Sequence, residues 1–128
     1  MPTWPAVTGD VVTSTLWNGL PAFTVNTTQT ADYTAVLADS YQVLQQMNKA
    51  TAIAFKIPTN ASVAIPIGSA ITVLNIGVGT CTISAVTPGT TTVLSAGGTP
   101  ASPTLAQYKS AVCIKVATDA WYIVGAVN

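Results

Sequence analysis

The sequence predicts an all-β fold, a compact β-sandwich or barrel-like domain preceded by an extended N-terminal arm. Three observations carry that expectation. Ile53, Phe55 and Ile57 alternate with Ala54 and Lys56, and Ile71 to Ile76 (ITVLNI) is rich in β-branched residues, so the centre of the chain has the period of strands with one buried face. Turn-forming residues recur about every 10 residues beyond it, the spacing of sandwiches and barrels. Residues 1–30, by contrast, show no clear period of 2 or 3.6.

The arm, residues 1–30, contains Trp4, Pro5, Trp17, Pro21 and Phe23. Thr8-Gly9-Asp10 is a turn signal. Ser14 or Thr15 can cap a short helical turn at Leu16 to Asn18, which Gly19 and Pro21 end at once. Aromatic residues spaced along an extended segment suit a partner's pockets. Trp4, Trp17, Leu20 and Phe23 are therefore the candidate anchors to another protein or subunit. The competing reading has the arm fold back over its own domain.

The β domain is expected over residues 31–128. Tyr33 to Leu37 reads as a strand and Ala38-Asp39-Ser40 as a turn. Tyr41 to Met47 is read as a strand through Tyr41, Val43 and Gln45; the alternative is a helix capped by Asp39 with Val43, Leu44 and Met47 on one face. Asn48 to Ala50 is a loop before the Ile53 to Ile57 strand. Pro58-Thr59-Asn60 interrupts, and Pro66 and Gly68 keep Val63, Ile65 and Ile67 from forming a regular central strand. Gly77-Val78-Gly79 is expected to turn the Ile71 to Ile76 strand back into Thr80 to Ala85 as a hairpin. Thr87-Pro88-Gly89-Thr90 is a turn, Thr91 to Leu94 a short strand, and Ser95 to Pro103 a loop of small residues. In the next run Val112, Ile114 and Val116 share one face and Cys113 and Lys115 the other. Thr118-Asp119-Ala120 turns, and Trp121 to Val127 closes the chain as a final strand. No internal repeat is visible. Phe55, Ile65, Trp121 and Tyr122 are expected in the core or at an oligomer interface.

Composition limits what such a domain can do. Of 128 residues, 49% are hydrophobic and 6% charged, against about 25% charged on average. Four Lys balance four Asp, and Glu, Arg and His are absent. The surface is left to Thr, Ser, Asn, Gln and Gly. A chain so poor in charge is expected to bury surface against other chains. It offers no basic field for nucleic acid and no polybasic membrane anchor. No run reaches the roughly 20 apolar residues of a spanning helix, and the first residues lack the pattern of a secretory signal, so cytoplasmic synthesis is expected. Cys81 and Cys113 read as buried free thiols; a disulfide requires their strands to be neighbours.

The same composition argues against catalysis. Without His there is no Ser-His or Cys-His pair. Asp10, Asp32, Asp39 and Asp119 lie at turns or loop edges, where carboxylates cap backbone amides, and they do not form an acid/base pair. Neither they nor the two cysteines have the spacing of a calcium or zinc site. No catalytic residue, no metal site and no cofactor is therefore expected. Gly77-Val78-Gly79 is no phosphate loop, because no suitable helix follows it. Asn26-Thr27-Thr28 and Asn60-Ala61-Ser62 match the glycosylation pattern, which carries weight only in a secreted chain. Tyr33, Tyr41, Tyr108, Trp121 and Tyr122 could stack on sugars or bases, but aromatics scattered over separate strands fit a core or an interface better.

The order of several short motifs resembles a small β module of tailed-bacteriophage virion proteins. It runs from Tyr33 to Asp39 (YTAVLAD), through Met47-Asn48, Phe55 to Gly68 (FKIPTNASVAIPIG), Ile71 to Gly79 (ITVLNIGVG), Ser95 to Gly98 (SAGG) and Gln107 to Ala111 (QYKSA), to Ala117 to Gly125 (ATDAWYIVG). Thr8 to Asn18 (TGDVVTSTLWN) is similar to the segment that opens many phage tail and virion structural proteins. The resemblance implies a non-enzymatic virion protein. A short arm with one compact β domain is similar to head decoration, or cement, proteins, which stand as trimers on the outer capsid and brace the major capsid protein. The alternative it implies is a short tail-fibre or head-fibre protein that binds a receptor or glycan. A third reading, outside this resemblance, is an unrelated enzyme or carbohydrate-binding module.

Overall fold

The computed structural model describes residues 24–41 and 43–128, and their fold is nearly all β. Ten strands form two mixed sheets that pack face to face. In chain order they are β1 (Thr24–Val25), β2 (Tyr33–Thr34), β3 (Val43–Met47), β4 (Ile53–Ile57), β5 (Ala70–Asn75), β6 (Cys81–Ala85), β7 (Thr92–Ser95), β8 (Thr104–Leu105), β9 (Lys109–Ala117) and β10 (Ala120–Gly125). The larger sheet has the order β1-β3-β5-β9-β10-β7 and the smaller β2-β4-β6-β8. From β1 to β9 the chain changes sheet at every step. Only β9 and β10 are consecutive strands of one sheet, an antiparallel hairpin.

Parallel neighbours need a crossover connection. Here the crossover between two strands of one sheet is a strand of the other. β1, β3 and β5 run parallel, as do β2, β4 and β6, so the first half of the domain winds as a short two-sheet coil. Leu44 pairs with Thr72 and Ile53 with Cys81, a constant spacing of 28 residues across both sheets. The segments 43–57 and 71–85 are therefore stacked copies of one shape, strand–arch–strand. The repeat escapes a sequence comparison because the two segments share an in–out pattern and hardly any residues.

That winding corrects the hairpin expected at Gly77-Val78-Gly79. β5 and β6 lie in opposite sheets and the three residues form an arch between them. The arch rests on the preceding one, with Gly79 N donating to Lys49 O at 2.9 Å and Ile76 N to Met47 O at 2.9 Å. A Cβ on Gly79 would overlap the Thr51 carbonyl oxygen. Glycine serves close backbone approach here, where the sequence reading assigned it to a tight turn. The strand expected over Tyr33 to Leu37 is also shorter. It ends at Thr34, and Leu37–Ser40 is a 3-10 turn held by the Asp39 carboxylate, which accepts from Val36 N at 2.9 Å. The ambiguous segment resolves as the strand Val43–Met47. Residues 24–30 join the sandwich: β1 pairs with β3, and Gln29 bridges to Met47. The β domain thus extends back to Thr24, ahead of the boundary expected at 30/31.

Alternation along each strand builds the core. Phe55, Ile57, Met47, Ile71, Val73, Ile83, Leu105, Cys113 and Trp121 all point between the sheets. Tyr33 packs on Phe55 with ring centroids 5.9 Å apart. From the irregular stretch after β4, Ile65 drops into the same core. As expected, no regular strand forms between Pro58 and Gly68.

Candidate functional site

Among the described residues there are three buried polar clusters, and each is satisfied by bonds that hold the fold. Asp39 accepts from Tyr33 Oη at 2.7 Å, Gln45 Nε2 at 2.6 Å and Val36 N at 2.9 Å. Asn26 extends the cluster, donating to Gln45 Oε1 and accepting from Gln46 N. Burial, reinforced by the hydrogen bond to Asp39 and its charge, holds the Tyr33 phenol well above its ordinary value. Lys115 is buried, and its Nζ donates to Asn60 Oδ1 at 2.7 Å and Ile65 O at 2.6 Å. Asp119 accepts from Asn60 N and Thr91 Oγ1. Asn75 donates to Gly79 O and Leu105 O and accepts from Gly77 N, pinning the arch. Among the described residues no buried side-chain polar atom lacks a partner. These groups tie loops to strands.

The thiols are equally inert. Cys81 and Cys113 are free and buried on facing sheets. Burial pushes the Cys81 thiol up to about 11, and pushes Cys113 still higher with a smaller contribution from Cys81. Neither has the lowered value of a nucleophile. Among the described residues no three of Cys and Asp come together to hold a metal ion. No described helix is long and apolar enough to cross a membrane. Asp32 fills the turn role expected of it, accepting from Ala54 N at 3.0 Å.

The two sheets differ in what they show to the outside. In the smaller sheet the outward residues pair as Thr34–Lys56–Ser84 and Ala54–Thr82–Thr104. That is an ordinary polar outer surface. In the larger sheet one outward row is Val25–Leu44–Thr72–Val112–Val124, each paired with the next. A second is Ala70–Ile114–Tyr122–Leu94, and a third Gln46–Leu74–Ser110. None of these residues is charged. Val124 is 59% exposed, Val25 54%, Tyr122 48% and Leu94 42%. A groove of about 580 Å³ opens at the β10–β7 end of this face, with Leu94, Tyr122 and Val124 along it and Gly97, Gly125 and Val127 at its border. Large apolar residues thus occur on all six strands of this face, with Thr72, Gln46 and Ser110 between them, and exposed apolar patches on this scale mark interaction surfaces in other proteins.

The candidate residues from the sequence divide accordingly. Phe55, Ile65 and Trp121 are buried in the core of the single chain. Tyr122, adjacent to Trp121 and so on the opposite side of β10, stands on the apolar outer face. Trp4, Trp17, Leu20 and Phe23 lie outside the described residues. Val25, Leu44, Leu94, Val112, Ile114 and Val124 were not among the candidate site residues; Val112 and Ile114 were read only as sharing one face of a strand. The available signal was the last two long strands, where apolar residues occupy outward as well as inward positions. Comparison with protein-family models, with curated proteins and with solved structures finds no match.

Proposed function

We propose that this chain is a non-enzymatic structural protein of a tailed-phage virion, a head decoration protein that binds the outer capsid as a homotrimer and braces the major capsid protein. The observation that carries the reading is the apolar outer face of the larger sheet, set against the polar outer face of the smaller one. It gives a physical use to a charge-poor chain, which is to stand in an assembly with other protein on one side and water on the other. The ordered motifs from Tyr33 to Gly125 supply the virion context. The role is mechanical. The β domains associate through apolar surface, and the arm carrying Trp4, Trp17, Leu20 and Phe23 reaches coat subunits. Many weak repeated contacts then hold the lattice through avidity.

One observation favours a second reading, a short tail-fibre or head-fibre protein that binds a receptor. It is the groove beside Tyr122, an aromatic ring on which a sugar could stack. The groove is mostly apolar, with few of the convergent polar groups that fix a glycan's hydroxyls. The copy number of the chain per purified virion, measured by quantitative mass spectrometry against the major capsid protein, separates the two. A number comparable with the coat protein is expected. A few copies per particle moves the chain to a fibre, and absence from the particle overturns the virion assignment.

A further inference from the structure

We propose that the outer face of the six-stranded sheet, rows Val25–Val124 and Ile114–Tyr122–Leu94, is the surface through which copies of this chain bind one another. The inference rests on the reading that copies associate, and it says which face they use.

Charge favours a second copy as the occupant. An identical surface meets its own charges when it packs on itself, and like charges directly opposed cost stability. This face has none to oppose. The seven described charges lie elsewhere or at its margin. Lys56 is in the smaller sheet, Asp32 caps the first residues of β4, Lys49 is in the arch before β4, and Asp39 and Lys115 are buried inside. Asp119 bonds Asn60 and Thr91 between β9 and β10, and Lys109, the first residue of β9, pairs with the inward Asn75 rather than within an outward row. A partner selected by charge would find nothing to read here, whereas a self-complementary apolar face needs nothing more.

Area points the same way. Six strands about 4.8 Å apart and roughly five residues long, at about 3.3 Å each, make a face of about 500 Å². Two such faces cover about 1,000 Å² together, the level a specific interface has to reach. Residues 1–23, even fully extended and laid in adjacent passes at strand spacing, would cover about 360 Å², short of the whole face. Another sheet face covers it all, at the roughly 10 Å spacing of packed sheets. A face that packs whole on its own copy makes a twofold pair, whereas around a threefold axis each face is shared between two neighbours.

The test uses the purified full-length chain with no capsid present, so it is independent of the virion assignment. Sedimentation equilibrium is expected to give the mass of an oligomer, two copies where whole faces pack on one another and three where each face is shared about a threefold axis. Tyr122→Lys combined with Val124→Lys should drop it to one copy, with the β-type circular dichroism spectrum kept, because both side chains already face outward. Thr82→Lys combined with Thr104→Lys, on the polar sheet, should leave the oligomer intact. A monomeric parent chain, or a face variant that keeps the parent mass, overturns the proposal. Should the face variant fail to fold, a photo-reactive benzophenone side chain at position 124 replaces it. Cross-links to outward residues of β3, β5, β9 or β10 in a differently isotope-labelled copy support the proposal; cross-links to residues 1–23, or none between copies, overturn it. Self-association through this face by a chain absent from virions would sink the decoration role and leave this inference standing. A capsid-bound monomer would do the reverse.

Discussion

Lys115 Nζ is held inside the sandwich by Asn60 Oδ1 and by the carbonyl of Ile65, both from the irregular stretch that follows β4. The backbone of the same residue bonds Gly68 and Ser69 at the far end of that stretch. One side chain therefore replaces the ladder that Pro66 and Gly68 deny to residues 58–68. Lys115→Met keeps the length of the stem and removes the donor, leaving the buried Ile65 carbonyl unpaired. A loss of about 1–3 kcal/mol follows, read as a lower urea midpoint by far-UV circular dichroism. Lys109→Met, at an exposed position, should stay within about 0.5 kcal/mol of the parent, and equal midpoints for the two variants would refute the staple. The thiols make a second residue-scale prediction. The Cys81 thiol ionises near 9 when unfolded and near 11 when folded, so above pH 9 the unfolded chain releases a proton that the folded chain keeps. Its contribution to stability is whole below pH 9 and is lost as the pH rises through 11; Cys113 acts in the same direction from pH 9 and Tyr33 from pH 10, both continuing to higher pH, so Cys81 supplies only part of the fall. The melting temperature should fall between pH 9 and 11, and Cys81→Ala should flatten that fall. An equally steep fall in the variant would assign it to other groups.

At the scale of elements, the stacked arches decide the topology, and Gly79 is where they press closest. Gly79→Ala forces a Cβ into the Thr51 carbonyl, so the arch must shift off its neighbour. Overpacking of this kind costs about 1–3 kcal/mol. Gly98→Ala is the control: nothing lies within 4 Å of the added Cβ, so it should be neutral or stabilise by less than about 1 kcal/mol. Similar thermal shifts in both variants would show that the arches are not in contact. This element also marks where the sequence stopped being informative. Alternation in Ile53 to Ile57 and Ile71 to Ile76 reveals strands and their buried faces, because the period of two is local. Membership of a sheet is not local. Gly-Val-Gly between two apolar runs has hairpin chemistry, and only the Asn48 to Thr51 backbone beneath it, 28 residues earlier, makes it an arch. Asp39 offered a cap for a helix over 41–47, yet its carboxylate turns back to Val36 and across to Tyr33 and Gln45, bonds no spacing rule foretells. In β9, hydrophobicity alone would send Val112 and Ile114 inward and Lys115 to water. The reverse occurs because Asn60 and Ile65 wait inside. The apolar outer face was illegible for that reason: its rows are assembled from three to five strands, and Tyr122 was the one member the sequence named as an interface candidate.

For the whole molecule, the contrast between its two outer faces ties stability to concentration. If copies bury the larger sheet's outer face, folding and association are linked, and diluting the protein removes part of what holds the native state. For a trimer, each tenfold rise in concentration adds on the order of 1 kcal/mol per chain to apparent stability. In a domain of this size that moves the melting temperature by about 3–5 °C. The parent chain should therefore melt progressively higher from micromolar to near-millimolar concentration. The Tyr122→Lys and Val124→Lys double variant should melt at one temperature throughout, close to the dilute limit of the parent. The comparison separates two uses of apolar surface that look alike in a composition table. Core residues such as Phe55, Ile57 and Trp121 stabilise the single chain at any concentration, whereas Val25, Ile114, Tyr122 and Val124 contribute only when another surface covers them. A parent chain whose melting temperature ignores concentration while sedimenting as a monomer would mean that the face is open in the free protein, and the partner that covers it would have to be sought on the coat.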